Sequence, residues 1–124
     1  MTTVAKRSAF PVLALVAIST ALFSSTVSAH HGWSSYDEKK TLTFTGTIRE
    51  ATYENPHGIA KLDVEGTVWT VVLAPPSRMQ ARGLSQDMLK AGASATVEGY
   101  PHRSTQGEMR AERITIDGKT VELR

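Results

Sequence analysis

Seven residues, Leu42-Thr43-Phe44-Thr45-Gly46-Thr47-Ile48, constrain this chain more than any other stretch. Apolar and threonine side chains alternate there, placing Leu42, Phe44 and Ile48 on one face and the three threonines on the other. That is the pattern of a strand buried on one side. Gly46 stands in the apolar row and marks a close backbone approach or a bend. Beyond Arg49-Glu50 the apolar parity resumes one residue out of step, at Ala51 and Tyr53, so a bulge is expected near that pair. The first strand is long and bent.

The rest of the chain follows from that strand. Asn55-Pro56-His57-Gly58 interrupts it with turn chemistry. Ile59 to Val64 reads as a second strand with Ala60, Leu62 and Val64 inward, and Glu65-Gly66 reverses it into a third, Thr67 to Leu73. Trp69, Val71 and Leu73 share one face of that third strand, while Val68 and Val72 point to burial on both sides. Ala74-Pro75-Pro76 ends the sheet. A short helix is expected over Ser77 to Arg82, with Pro76 at its start and Gly83 beyond its end. Ser85 reads as the N-cap of another helical turn through Lys90, stopped by Gly92. Ala95, Val97 and Gly99 alternate as strand 4. Tyr100 to Ser104 reads as a loop, because Pro101 cannot donate to a ladder. Glu108 to Ile116 is strand 5, and Asp117-Gly118 signals a hairpin into a last strand, Thr120 to Leu123. Three strands, a helix and two or three more strands describe a mainly β fold. The order is that of a small five- to six-stranded Greek-key barrel of the OB type, with its helical segment between strands 3 and 4. A plain β-meander with one helical cover is the alternative.

What precedes the barrel sets its compartment. Residues 1–29 have the three parts of an export signal: Lys6 and Arg7, an apolar run from Phe10 to Phe23, and a small-residue exit ending at Ala29. The apolar run is shorter than the roughly 20 residues a membrane span requires, and no later segment reaches that length. The chain has no cysteine, so it forms no disulfide and carries no lipid on a cleavage-site thiol. A soluble periplasmic or secreted protein is expected, made of a cleaved leader (1–29), an N-terminal arm (30–41) pinned by Trp33 and Tyr36, and a barrel (42–124). Taking Lys6 and Arg7 from the 14 basic residues leaves 12 against 12 acidic ones in the mature part. An interspersed neutral balance without a basic stripe argues against a nucleic-acid partner.

Cleavage after Ala29 would give His30 a free amine beside its imidazole, with His31 next to it. Amine and imidazole nitrogens suit copper, and zinc less specifically. Cleavage one residue earlier still leaves His31 as the third residue, which also chelates Cu(II). The other two histidines, His57 and His102, fall in the loops after strands 1 and 4. These loops flank one binding face of an OB barrel. An extended arm from His30 to Thr41 spans at most roughly 40 Å, enough to reach that rim. A metal site from His30, His57 and His102, with His31 as an additional ligand, is therefore expected, with a role in carrying copper or in metal homeostasis and without catalysis. The plainer reading makes the histidines solvated and Asn55-Pro56-His57 simply a turn. A non-metal binding module for an oligosaccharide, peptide or periplasmic protein partner is the alternative function, with Trp33 and Tyr100 as ligand-face aromatics. An oxidative copper enzyme is a third. No nucleophile motif or phosphate-binding glycine loop is present. Arg78, Arg82 and Lys90 read as a solvated face, and Trp69 as core by its parity with Val71 and Leu73.

His30-His31-Gly32-Trp33, Tyr36-Asp37, Gly46-Thr47-Ile48, Asn55-Pro56-His57, Trp69, Arg82-Gly83 and Gly99 together resemble a family of small exported bacterial proteins of unknown function. The likeness covers nearly all of the mature chain. Gly32 and Trp33 replace a commoner Ser-Phe. A glutamate often found after the tryptophan in that family is absent, since Val71, Val72 and Leu73 stand there. The resemblance implies an exported β-rich domain and no particular activity.

Overall fold

The computed structural model describes residues 2, 3, 5 and 32–124. Most of the expected leader, together with His30 and His31, therefore lies outside the described residues. The barrel is built from six strands: β1 (Leu42–Thr52), β2 (Ile59–Val64), β3 (Thr67–Val72), β4 (Ser94–Pro101), β5 (Glu108–Ile116) and β6 (Lys119–Glu122). Helix α1 (Pro76–Ala81) and a 3-10 turn at Gln86–Leu89 lie between β3 and β4. Among the described residues no helix is long and apolar enough to cross a membrane.

The strands run β3-β2-β1-β4-β5-β6, and β3 also pairs with β5. That last pairing is parallel, over Thr70 to Val72 against Glu108 to Arg110, and it closes the first five strands into a barrel. β1 is shared between the two halves. Its Leu42–Thr47 portion pairs with β4 and its Thr47–Thr52 portion with β2, so the strand bends where it changes partners. The register with β2 slips between Ile48 and Glu50, the bulge that the parity shift at Ala51 predicts. An ideal Cβ on Gly46 would run into the carbonyl of Asp63 on β2. A side chain would push the strands apart, so the glycine permits the close approach.

Two hairpins fix the remaining registers. Glu65 and Gly66 both have positive φ (52° and 87°), as do Asp117 and Gly118 (51° and 73°). This is the backbone of two-residue turns whose twist suits adjoining antiparallel strands. β2–β3 and β5–β6 follow directly.

The core joins the inward rows of the strands to the helical segment. Ile48, Leu62, Val71, Val97, Met109, Ile114 and Leu123 are almost fully buried, and Met79 of α1 and Leu84 beyond it close over them. Each such side chain contributes roughly 1.5–3 kcal/mol on burial. Trp69 is half-buried against this core and stacks on Phe44 at 4.7 Å.

Several local expectations change. β4 continues through Tyr100 and Pro101, with Pro101 opposite Met109. Proline is tolerated there because its carbonyl, not its missing N–H, is used: it accepts from the Asp37 amide at 2.9 Å. Val68 is 41% exposed, so β3 is not buried on both faces along its length. Ser85 stands at the start of the 3-10 turn without a side-chain cap bond. Arg82 is exposed as expected and Arg78 is half-buried, and both also tie down the end of the chain. Arg78 Nη1 donates to the Leu123 carbonyl at 3.2 Å, and Arg82 Nη1 donates to the carbonyls of Glu122 and Arg124, each at 2.8 Å. Lys90 is exposed, as read.

Candidate functional site

The loop after β1 is tied to the end of β3. Gly58 donates to the Ala74 carbonyl at 2.9 Å and accepts from the Leu73 amide at 2.8 Å. These bonds hold the loop, whose Asn55–Pro56 peptide is cis, and with it His57 at the barrel rim. On the opposite side, the His102 amide donates to the Glu108 carbonyl at 2.9 Å. Its ring Nδ1 accepts the backbone N–H groups of Ser104 (3.1 Å) and Thr105 (2.9 Å). A neutral His102 therefore carries its proton on Nε2, which faces Glu108 Oε2 at 3.7 Å.

The N-terminal arm completes the rim. Trp33–Ser35 forms a 3-10 turn, and Tyr36 makes an isolated bridge to His102. Tyr36 is 5% exposed, stands edge-on to the His102 ring at 5.1 Å, and donates its hydroxyl to Glu108 Oε2 at 3.0 Å. Burial first, then the hydrogen bond to Glu108, pushes its phenol well above the ordinary tyrosine range. Arg103 fastens the same segment, its amide donating to the Ser35 carbonyl and its Nε to the Ser34 carbonyl, both at 2.9 Å.

Arg110 of β5 lies beneath the rim, 4% exposed. Its Nη2 is 3.2 Å from His57 Nε2. A guanidinium can only donate, so His57 accepts there and a neutral ring bears its proton on Nδ1. The Trp33 ring lies 4.4 Å from the guanidinium carbon of Arg110 and equally far from that of Arg124. Such cation–π contacts contribute roughly 0.5–2 kcal/mol each. Arg124 is itself held by Glu38 at 2.7 Å.

Between these groups opens a cleft of about 290 Å³, lined by Tyr36, Pro56, His57, Ile59, Val72, His102, Glu108 and Arg110. The barrel thus brings His57 and His102 to one cleft from loops 45 residues apart in sequence. It places Trp33 and Tyr100 elsewhere: they meet edge-on at 6.1 Å, and neither lines the cleft. Tyr100 is turned to Glu112, donating to Oε2 at 2.6 Å. The described residues contain no group of three or more His, Cys, Asp or Glu side chains able to hold a metal ion. The two other expected ligands, His30 and His31, lie outside them.

Sequence reasoning missed Glu108 and Arg110. Arg110 stands between Met109 and Ala111, but Glu108 and Glu112 flank that trio, so the local sequence gives no signal that this charge is buried. Its reach into the cleft depends on β3 pairing with β5, which no local pattern reveals.

Comparison with known proteins bears on this geometry in two ways. The model of a family of unknown function (DUF6152) matches residues 17–110. The chain belongs to that family. The match includes β1 to β4, both rim histidines and Arg110. A search of curated proteins finds no match. Among solved structures, the ZRD-deleted mutant of TiaS in complex with agmatine is similar at a TM-score of 0.51 and 15% identity, over 70% of this chain and 27% of that one. TiaS in complex with an isoleucine transfer RNA and ATP gives 0.48 and 17%, over 72% and 20% of the two chains. The Stn1–Ten1 complex of S. pombe gives 0.45 and 17%, over 61% and 57%. The chain thus spans about a quarter or less of the TiaS chains, and the likeness to the agmatine complex is one of fold.

Proposed function

We propose that this chain is an exported binding protein, freed of residues 1–29 in transit, whose site is the cleft between the β1–β2 and β4–β5 loops. The observation that carries this reading is the convergence of His57, His102, Glu108 and Arg110 on that cleft, at the face where barrels of this type take ligands. His57 and His102 stand on loops carried by the barrel strands, and Glu108 and Arg110 on β5 itself, an arrangement suited to binding.

Copper is the second reading, with Cu(II) held by His30 and an imidazole of His57 or His102 and the protein acting as a carrier. It is favoured by the docking of the arm. Trp33 lies on Arg110 and Tyr36 on Glu108, and His30 is three residues before Trp33, at most roughly 11 Å of chain. It stands second because both rim imidazoles already accept N–H donors, His57 from Arg110 and His102 from two backbone amides. A metal at either lone pair has to displace those bonds. Zinc meets the same obstacle.

Native mass spectrometry of the protein recovered after export tests both readings. A mature chain beginning at His30 supports export, and a retained leader overturns it. One Cu(II) per chain, lost both on removing His30-His31 and on His57→Ala, establishes the copper reading. Copper binding indifferent to both His57→Ala and His102→Ala confines the metal to the terminal residues and leaves the cleft to another ligand.

A further inference from the structure

The cleft adjoins a second hollow. That one, of about 130 Å³, is lined by Glu50, Ala51, Thr52, Ile59 and Lys61, so the two share Ile59. Strand pairing explains why they meet. Register partners across a sheet carry their side chains on the same face. Thr52 pairs with Ile59, Ile59 with Val72 and Val72 with Arg110. One row over, Glu50 pairs with Lys61, Lys61 with Thr70 and Thr70 with Glu108. The alternate residues Ala60, Val71 and Met109 fill the core, so both rows cross the outer face of β1, β2, β3 and β5. They lead from the second hollow into the cleft. Neighbouring strands lie roughly 4.8 Å apart, and three such steps make a groove of about 14 Å.

The middle of this groove is aliphatic and its β1 end is acidic. Ile59 and Val72 stand opposite each other, half-buried, and Pro56 joins them in lining the cleft. Glu50 is exposed and has no ion pair or hydrogen bond among the described residues. Its cross-strand neighbour Lys61 donates instead to Thr70 Oγ1 at 2.7 Å. Neither hollow offers an exposed phenol or indole face, since Tyr36, which lines the cleft, is 5% exposed. Bases stack on such faces, and so do sugar rings. An aliphatic floor beside a spare carboxylate suits an extended peptide, whose alternate side chains fall on one side about 6.6 Å apart. An apolar side chain on Ile59 and Val72 then leaves a cation two residues away to face Glu50.

We propose that the groove binds an extended peptide across β5, β3, β2 and β1, with an aliphatic side chain on Ile59 and Val72 and a lysine or arginine side chain at Glu50. This rests on the ligand-binding reading above and names the ligand's class. Four or five residues, at roughly 3.3 Å each, cover the length of the groove.

The test is an NMR titration of the exported protein with acetyl-Lys-Ala-Leu-Ala-Lys-amide, following the backbone amides of the strands and rim loops. Its two lysines flank the leucine, so either chain direction brings one to Glu50. The comparison probes are the same peptide with glutamate for both lysines, the same peptide with alanine for leucine, and cellotetraose. The lysine peptide is expected to shift Glu50 to Thr52 together with Ile59 and Val72, and the alanine peptide to bind about tenfold more weakly. Glu50→Gln, a change at an exposed position, weakens the lysine peptide about threefold and does not weaken the glutamate peptide. Ile59→Thr, which keeps a β-branched side chain in the strand, weakens both. A lysine peptide indifferent to Glu50→Gln, or bound no better than the glutamate peptide, overturns the assignment. Cellotetraose bound more tightly than the lysine peptide overturns it in favour of a sugar. Shifts confined to Tyr36, His57 and His102 overturn the groove and leave the cleft as a binding site. No shift with any probe overturns the inference and the binding reading together.

Discussion

Tyr36 shows how one residue can serve fold and site together. Its ring is buried under the His102 imidazole and its hydroxyl binds Glu108, so ionising it would strand a charge beside a carboxylate. Tyr53 and Tyr100 are raised as well, Tyr53 by burial and Tyr100 chiefly by its bond to Glu112. These are all three tyrosines of the chain. A phenol whose folded pKa exceeds its unfolded value of about 10 adds stability that is fully present below pH 10. That stability is lost as pH climbs toward the folded value. Phenolate absorbance is therefore expected to rise only above the ordinary tyrosine range, with Tyr36 ionising last and together with the loss of circular dichroism. A smooth titration near pH 10 with the fold intact would contradict it. The same residue marks the limit of what single positions reveal: Tyr36 reads as an aromatic anchor, but its partner Glu108 is 72 positions away, beyond any local pattern.

At the level of elements, β1 is where the sequence speaks most clearly. Its threonine alternation, the parity slip after Ile48 and the glycine in the apolar row each have a counterpart in the ladder. All three are short-range features whose periodicity is fixed by strand geometry. Gly46→Ala is expected to cost roughly 1–3 kcal/mol, because the added methyl meets backbone rather than a movable side chain. Chemical denaturation would register it as a lowered midpoint with an unchanged slope, and an unchanged midpoint would mean the strands can separate there without cost. The helical segment was less legible. Arg78 and Arg82 look like a solvated face because their acceptors, the carbonyls of Leu123, Glu122 and Arg124, belong to the far end of the chain. Pro101 misled for the converse reason. A proline argues against a ladder only where the ladder needs its N–H, and here its carbonyl serves the arm.

On the scale of the whole molecule, the arm and the barrel closure share residues. β5 supplies Val72's partner Arg110 at the closure, and Arg110 also carries Trp33 of the arm. Arm and barrel should therefore unfold in one step. The chain has two tryptophans, one in each part, so Trp33→Phe and Trp69→Phe variants report on them separately. Each fluorescence transition is expected to coincide with that variant's own circular dichroism transition. In the Trp69→Phe protein, a Trp33 signal that changes well before the dichroism would show the arm to be an independent unit. The closure also has a limit, since among the described residues β6 pairs with β5 alone and keeps an open side. Arg82, just beyond α1, occupies the Glu122 carbonyl of β6, and with Arg78 it holds the carbonyls of the two residues that follow. Unclaimed carbonyls on such an edge invite strands of neighbouring molecules to add on. A protein that covers them with its own charged side chains can be held at high concentration in a crowded compartment without growing into fibres.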